Sequence, residues 1–95
     1  MRESQTEQKV VQWAKNNNWI TYKLGGLGDR GKPDRVFLHS GKVVVFIEFK
    51  MLRKIPSALQ LWHSRQLASK GYNVHFVDNA ADGIYILQKA GEPHE

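Results

Sequence analysis

Apolar and polar positions change period several times along the chain, and each change predicts an element. Over residues 3–17, Val10, Trp13, Ala14 and Asn17 recur at helical spacing, and Asn16-Asn17-Asn18 ends the helix. Residues 19–24 read as a strand. A Gly-rich loop follows, Gly25-Gly26-Leu27-Gly28-Asp29-Arg30-Gly31-Lys32, with cations at its end. Residues 34–39 and 42–50 predict two antiparallel strands joined around Ser40-Gly41. Ile55 and Pro56 introduce a helix over 57–70, in which Pro suits a first helical position and Gly71 a C-terminal cap. Residues 73–77 form a short strand, and Asn79-x-x-Asp82 starts a last helix that runs to 89. The predicted order is α-β-β-β-α-β-α. Its strand–helix–strand end implies a parallel pair beside the hairpin, hence an α/β fold with a mixed sheet flanked by helices. No repeat, low-complexity tract or long linker divides residues 1–95, so a single domain is expected.

Composition narrows this picture. A chain of 95 residues supports one modest core, and 41% hydrophobic residues with three Trp place it among globular proteins. The absence of cysteine excludes disulfides and thiolate metal sites. The opening MRESQTEQK has no apolar stretch of the kind a signal peptide needs, and the longest apolar run, Val43 to Ile47, cannot span a bilayer. A cytoplasmic location is therefore expected, with no membrane partner. Net charge is +5, unevenly spread: residues 49–77 carry Lys50, Arg53, Lys54, Arg65 and Lys70 and no carboxylate. Such a stretch is either a phosphate-facing surface or a solvated basic face.

The chemistry concentrates in Pro33-Asp34, then thirteen residues, then Glu48-Phe49-Lys50. On a strand, Glu48 and Lys50 share a face with Val44 and Phe46, while Val43, Val45, Ile47 and Phe49 take the other. Both faces are apolar up to Ile47, so the strand is expected to be central and covered on both sides. A carboxylate and an ammonium at its end are costly unless paired or bound to a metal. A simple Glu48–Lys50 ion pair accounts for two residues but leaves Asp34 unexplained. If Asp34 meets Glu48, two carboxylates converge in a way that suits a hard divalent cation, Mg²⁺ above all. Lys50 would then hold the attacking water or offset charge on phosphate. The register decides this. A two-residue turn at Ser40-Gly41 pairs Asp34 with Ile47 and puts the acids on opposite faces. A three-residue loop over 40–42, or one bulge, restores the shared face.

These residues resemble the PD-(D/E)XK nuclease superfamily, and more closely its virus-type replication-repair nuclease (VRR-NUC) domain. The likeness rests on Glu3 or Glu7 in the first helix, Gly31-Lys32-Pro33-Asp34, Ile47-Glu48-Phe49-Lys50, Leu59-Gln60 and Gly71-Tyr72-Asn73-Val74, and runs from Glu3 to about Val77. It implies a restriction-endonuclease-like α-β-β-β-α-β core and DNA cleavage dependent on Mg²⁺ or Mn²⁺, often at branched or flapped structures. Small stand-alone members from phage and bacteria imply a homodimer able to cut four-way junctions. By this resemblance Asp34, Glu48 and the Phe49 carbonyl are metal ligands, Lys50 is the catalytic lysine and Gln60 supports the site. Glu7 leads directly into the buried stripe and is preferred to Glu3, although both also fit first-turn acids favoured by the helix dipole. Tyr22, Lys23, Lys32, Arg35, Arg53 and Lys54 are candidate phosphate contacts, each equally an ordinary surface residue. The Gly-rich loop is not a P-loop, since no G-K-[ST] follows it. The four histidines lack metal-ligand spacing, and Trp13, Trp19 and Trp62 read as core or interface aromatics. The competing readings are a non-catalytic basic DNA-binding module and a protein-binding α/β domain. Two carboxylates facing phosphate argue against the first.

Overall fold

Thr6, Val10 and Ala14 stand four apart, and all three are buried. They form the inward stripe of α1 (Glu3–Asn16), in the computed structural model that describes residues 3–25 and 30–93. Asn18 ends the helix in the left-handed region, at φ 69°, and lets the Trp19 N–H return to the Ala14 carbonyl. The rest of the chain follows the expected order: β1 (Ile20–Lys23), β2 (Arg35–His39), β3 (Val43–Phe49), α2 (Ala58–Ala68), β4 (Val74–Val77) and α3 (Ala80–Ala90). The strands lie in sequence order in one sheet. β1, β2 and β3 are antiparallel, and β4 joins β3 in parallel after the α2 crossover.

The β2–β3 connection is the one on which the sequence left two outcomes open. His39 pairs with Val43, so the loop is Ser40-Gly41-Lys42, three residues long. Gly41 and Lys42 both take positive φ, 75° and 65°, as the tight reversal demands. Every pair down the ladder then shifts by one from the two-residue alternative, and Arg35 faces Ile47.

That register sorts the two faces. Phe37, Val45, Ile47, Phe49 and Val77 lie on one face and pack with Val10 and Ala14 of α1, Trp19 and Leu87 of α3. The other face was expected to be fully covered too, and it is not. Val44 and Phe46 are only half-buried, because α2, which covers this side, contributes no fully buried residue of its own. Leu59, Leu61 and Trp62 of α2 are exposed, as are Met51, Leu52 and Ile55 before it. Pro56 is not in the first turn as expected. It precedes the N-cap, Ser57, while Gly71 at φ 90° does close the C-terminal end. Among the described residues no helix is long and apolar enough to cross a membrane.

Candidate active site

Because Arg35 pairs with Ile47, Asp34 stands one step further on, opposite Glu48 and on the same face of the sheet. Two backbone bonds hold Asp34 there. The Leu24 N–H donates to its carbonyl at 2.7 Å, and the Phe49 N–H donates to its Oδ2 at 2.8 Å. Within an extended residue the N–H and C=O point to the same neighbouring strand. The Phe49 carbonyl therefore projects to the Asp34 side, while the Lys50 N–H turns the other way and bonds the Val77 carbonyl. Glu48 is 5% exposed. Burial, a hydrogen bond to the Asp34 carboxyl and the Asp34 charge together push its pKa up to about 8 against the pull of Lys50, and Glu3 adds a smaller push. These causes favour the protonated form of Glu48.

Gln60 organises the remaining polar groups. Ser57-Ala58-Leu59-Gln60 forms a capping box: the Gln60 N–H bonds Ser57 Oγ at 3.1 Å, and the Ser57 N–H bonds Gln60 Oε1 at 2.9 Å. Lys50 Nζ donates to the same Oε1 at 3.1 Å. With two donors facing one end of the amide, that end is the oxygen, and Nε2 is turned to Glu48 Oε2 at 3.2 Å. Lys50 and Glu48 are thus joined through Gln60 rather than by a direct ion pair. Ser57 was not singled out from the sequence, although S-x-x-Q before a helix is a recognisable signal. Gly31 secures the approach from the other side. At φ 77° it passes beneath α2, where a Cβ would come within 2.5 Å of Leu59 Cγ and 3.0 Å of its backbone carbon.

Glu7 does not join this group. Its carboxylate is held by Lys23 Nζ at 2.8 Å and by Arg35 Nε at 2.6 Å, on the α1 side of the sheet, where Lys23 and Arg35 pair across β1 and β2. Burial alone would raise its pKa, but the two cations outweigh that and lower it. The acid preferred in α1, Glu7, is thus occupied by Lys23 and Arg35, while Glu3 adds a small push on Glu48. Arg35 is likewise committed to Glu7 and faces away from Asp34. The expected effect of Glu7→Gln is a loss of about 2 kcal/mol, since a half-buried guanidinium loses its charged partner. Thermal melting checks this, and the stabilisation should be present above pH 4.5 and fade as pH falls through the lowered pKa. A variant that melts like the wild type would show the pair to be structurally idle.

The other candidate contacts are spread around the carboxylates. Lys23 and Lys32 line the same cleft as Asp34, Glu48 and Gln60, a space of about 330 Å³. Arg53 and Lys54 are exposed in the turn after β3, with Arg53 in the left-handed region at φ 65°. Tyr22 is exposed on β1. His39 packs against Trp19 at a tilt and His63 meets Trp62 edge to face, and burial lowers the pKa of His75. Gly26, Leu27, Gly28 and Asp29 of the loop, and His94, lie outside the described residues.

Among the described residues no three His, Asp or Glu side chains are grouped to hold a metal. Two carboxylates and a backbone carbonyl still fit Mg²⁺, which keeps several waters and is commonly held by one or two carboxylates plus substrate phosphate. All three are hard oxygen donors, and a cation between the two carboxyls would relieve the repulsion that Asp34 exerts on Glu48.

No family model matches the sequence. The chain is 34% identical over 80 residues to a protein named "Putative nuclease p44" from Acyrthosiphon pisum secondary endosymbiont phage 1, a match spanning 83% of this chain and 85% of that protein. Its fold superposes on a solved structure titled "VRR_NUC domain" with a TM-score of 0.80 at 21% identity, covering 90% of this chain and 94% of the other. With Pro33-Asp34 and Glu48-Phe49-Lys50 brought together on a fold like that of the VRR_NUC domain, the chain belongs to the family of the phage protein named a putative nuclease.

Proposed function

We propose that this chain is a divalent-metal-dependent DNA endonuclease with Asp34, Glu48, the Phe49 carbonyl and Lys50 at its centre. The observation that carries the proposal is the hydrogen-bonded Asp34–Glu48 pair across β2 and β3, with Glu48 raised to about 8. When bound there, Mg²⁺ or Mn²⁺ would polarise the scissile phosphate and lower the pKa of a coordinated water. Lys50 offsets negative charge on the non-bridging phosphate oxygens as the water oxygen adds and gives up a proton to solvent, and a bridging P–O bond breaks with its oxygen taking up a proton. Gln60 is a positioning residue that aims both Lys50 Nζ and Glu48. Glu3 serves as the α1 acid, while Lys32, Arg53 and Lys54 hold flanking phosphates.

The exposed Met51, Leu52, Ile55, Leu59 and Trp62 support a homodimer, since such an apolar group on a small protein marks an interface. Two centres in one assembly suit paired cuts in branched DNA such as a four-way junction. The test is incubation of purified protein with labelled duplex, flap, fork and four-way-junction DNA in Mg²⁺, in Mn²⁺ and in EDTA. Cleavage of the branched DNAs with metal, none in EDTA and a dimer by light scattering are expected. A gel shift in every condition without cutting would instead make the chain a DNA-binding module.

A further inference from the structure

A second cavity, about 550 Å³, opens beside the carboxylate cleft on the same face of the sheet. The two share Leu24, Gly25 and Lys32 as a common wall. Phe46 lines the second cavity and stands two residues before Glu48 on the same face of β3, so their side chains are about 7 Å apart along the strand. α2 forms the opposite wall. Gln60 reaches the carboxylates, and His63 and Leu67 follow it on the same helix face, Leu67 about 10 Å further along. The lining is mostly apolar, with Lys32 and Lys70 among it and, among the described residues, no acidic side chain. The Phe46 ring is steadied by an edge-to-face contact with Tyr72, with centroids 6.2 Å apart.

We propose that this cavity seats one unstacked nucleobase of the strand being cut, next to the scissile phosphate. This rests on the assignment of Asp34 and Glu48 to phosphate chemistry and adds to it the reason for substrate choice. Size, charge and spacing agree. The cavity holds a base with its sugar, apolar walls and an aromatic ring suit a base's π-face, and the lysines complement the phosphates on either side. The step from Glu48 to Phe46 is also that from a phosphate to a neighbouring base. A base already unpaired at a fork or branch enters at little cost, whereas one within duplex must first leave the stack. The cavity therefore selects DNA that is single-stranded or branched at the cut.

The test uses the full chain and a fork DNA. Abasic sites are placed one at a time at each nucleotide around the branch point, and binding is followed by fluorescence anisotropy in EDTA. One abasic position should weaken binding about tenfold, the loss of one stacked base. In Leu67→Trp, which fills the cavity, and in Phe46→Leu, which removes the ring, that position should lose its effect; melting curves verify folding. Uniform affinity across all abasic positions, or full sensitivity retained in both folded variants, overturns the proposal. So does a Leu67→Trp protein that turns monomeric with its abasic response unchanged, since a second copy would then fill the cavity. Because the anisotropy needs no metal or cleavage, it is independent of the catalytic assignment, which fails separately if Lys50→Ala still cuts.

Discussion

Lys50→Ala is expected to reduce cleavage at least a hundredfold while leaving the fold and DNA binding nearly intact. The argument begins from what the side chain touches. Lys50 Nζ donates to Gln60 Oε1, which the Ser57 N–H also bonds, so removing the amine leaves no buried acceptor unpaired. The stability cost is therefore that of one part-buried hydrogen bond, about 1 kcal/mol. The catalytic cost is larger. Groups that meet charge only as it develops are worth 10²–10³ in rate, on the order of 3–4 kcal/mol each. The comparison to make is single-turnover cleavage of a branched DNA beside a thermal melt of the same protein. A severe fall in rate with a small fall in melting temperature fits the nuclease centre. A variant that unfolds, or one that cuts at the wild-type rate, would return Lys50 to the role of a structural cation. Gln60→Ala is the informative companion. It unties the capping box, Lys50 and Glu48 together, so stability and rate should fall jointly.

How much of this was legible beforehand differs by residue, for physical reasons. Periodicity located all seven elements, because helix and strand patterns report directly on which side chains face the core. Asp34, Glu48 and Lys50 could be picked out because charge at the end of an apolar strand is costly unless it has a partner. Whether Asp34 and Glu48 met could not be settled by pattern. It depended on one residue of loop length, and Lys42 had to accept a positive φ for the longer loop to form. The partners of Glu7 were hidden for a similar reason. Helical spacing places it beside the buried stripe, but nothing local reveals that Lys23 and Arg35, 16 and 28 residues away, converge on it. Long-range ion pairs have no short-range signature. Ser57 did have one, and with Gln60 it ties the start of α2 to the site. The half-covered face was missed because α2 carries apolar residues all round, and composition cannot say which of them find a partner within one chain.

Asp34→Asn should abolish divalent-cation binding and lessen the dependence of stability on pH, leaving the part that burial of Glu48 sets. In the wild type, Glu48 has a folded-state pKa of about 8 against an ordinary value of 4.5. Between these pH values the folded chain binds more protons than the unfolded one, so stability must decline as pH rises from about 4.5 to about 8 and level off beyond. The size is set by the burial and repulsion acting on Glu48, on the order of a few kcal/mol. A divalent cation reverses the trend. It takes the place of the proton, so its stabilisation should grow with pH and reach about 2.7 kcal/mol at a hundredfold excess over its Kd. Asparagine keeps an oxygen for the Phe49 N–H, so the backbone contact at 2.8 Å can survive. It removes the charge that repels Glu48 and half of the carboxylate pair that would hold the ion. Melting temperatures from pH 5 to 9, with and without Mn²⁺, read both effects at once, and calorimetric titration supplies the affinity. For the wild type the two curves should diverge as pH rises, and for Asp34→Asn they should coincide. Curves that diverge equally in both proteins would place the ion away from Asp34 and remove the physical basis of the proposed centre.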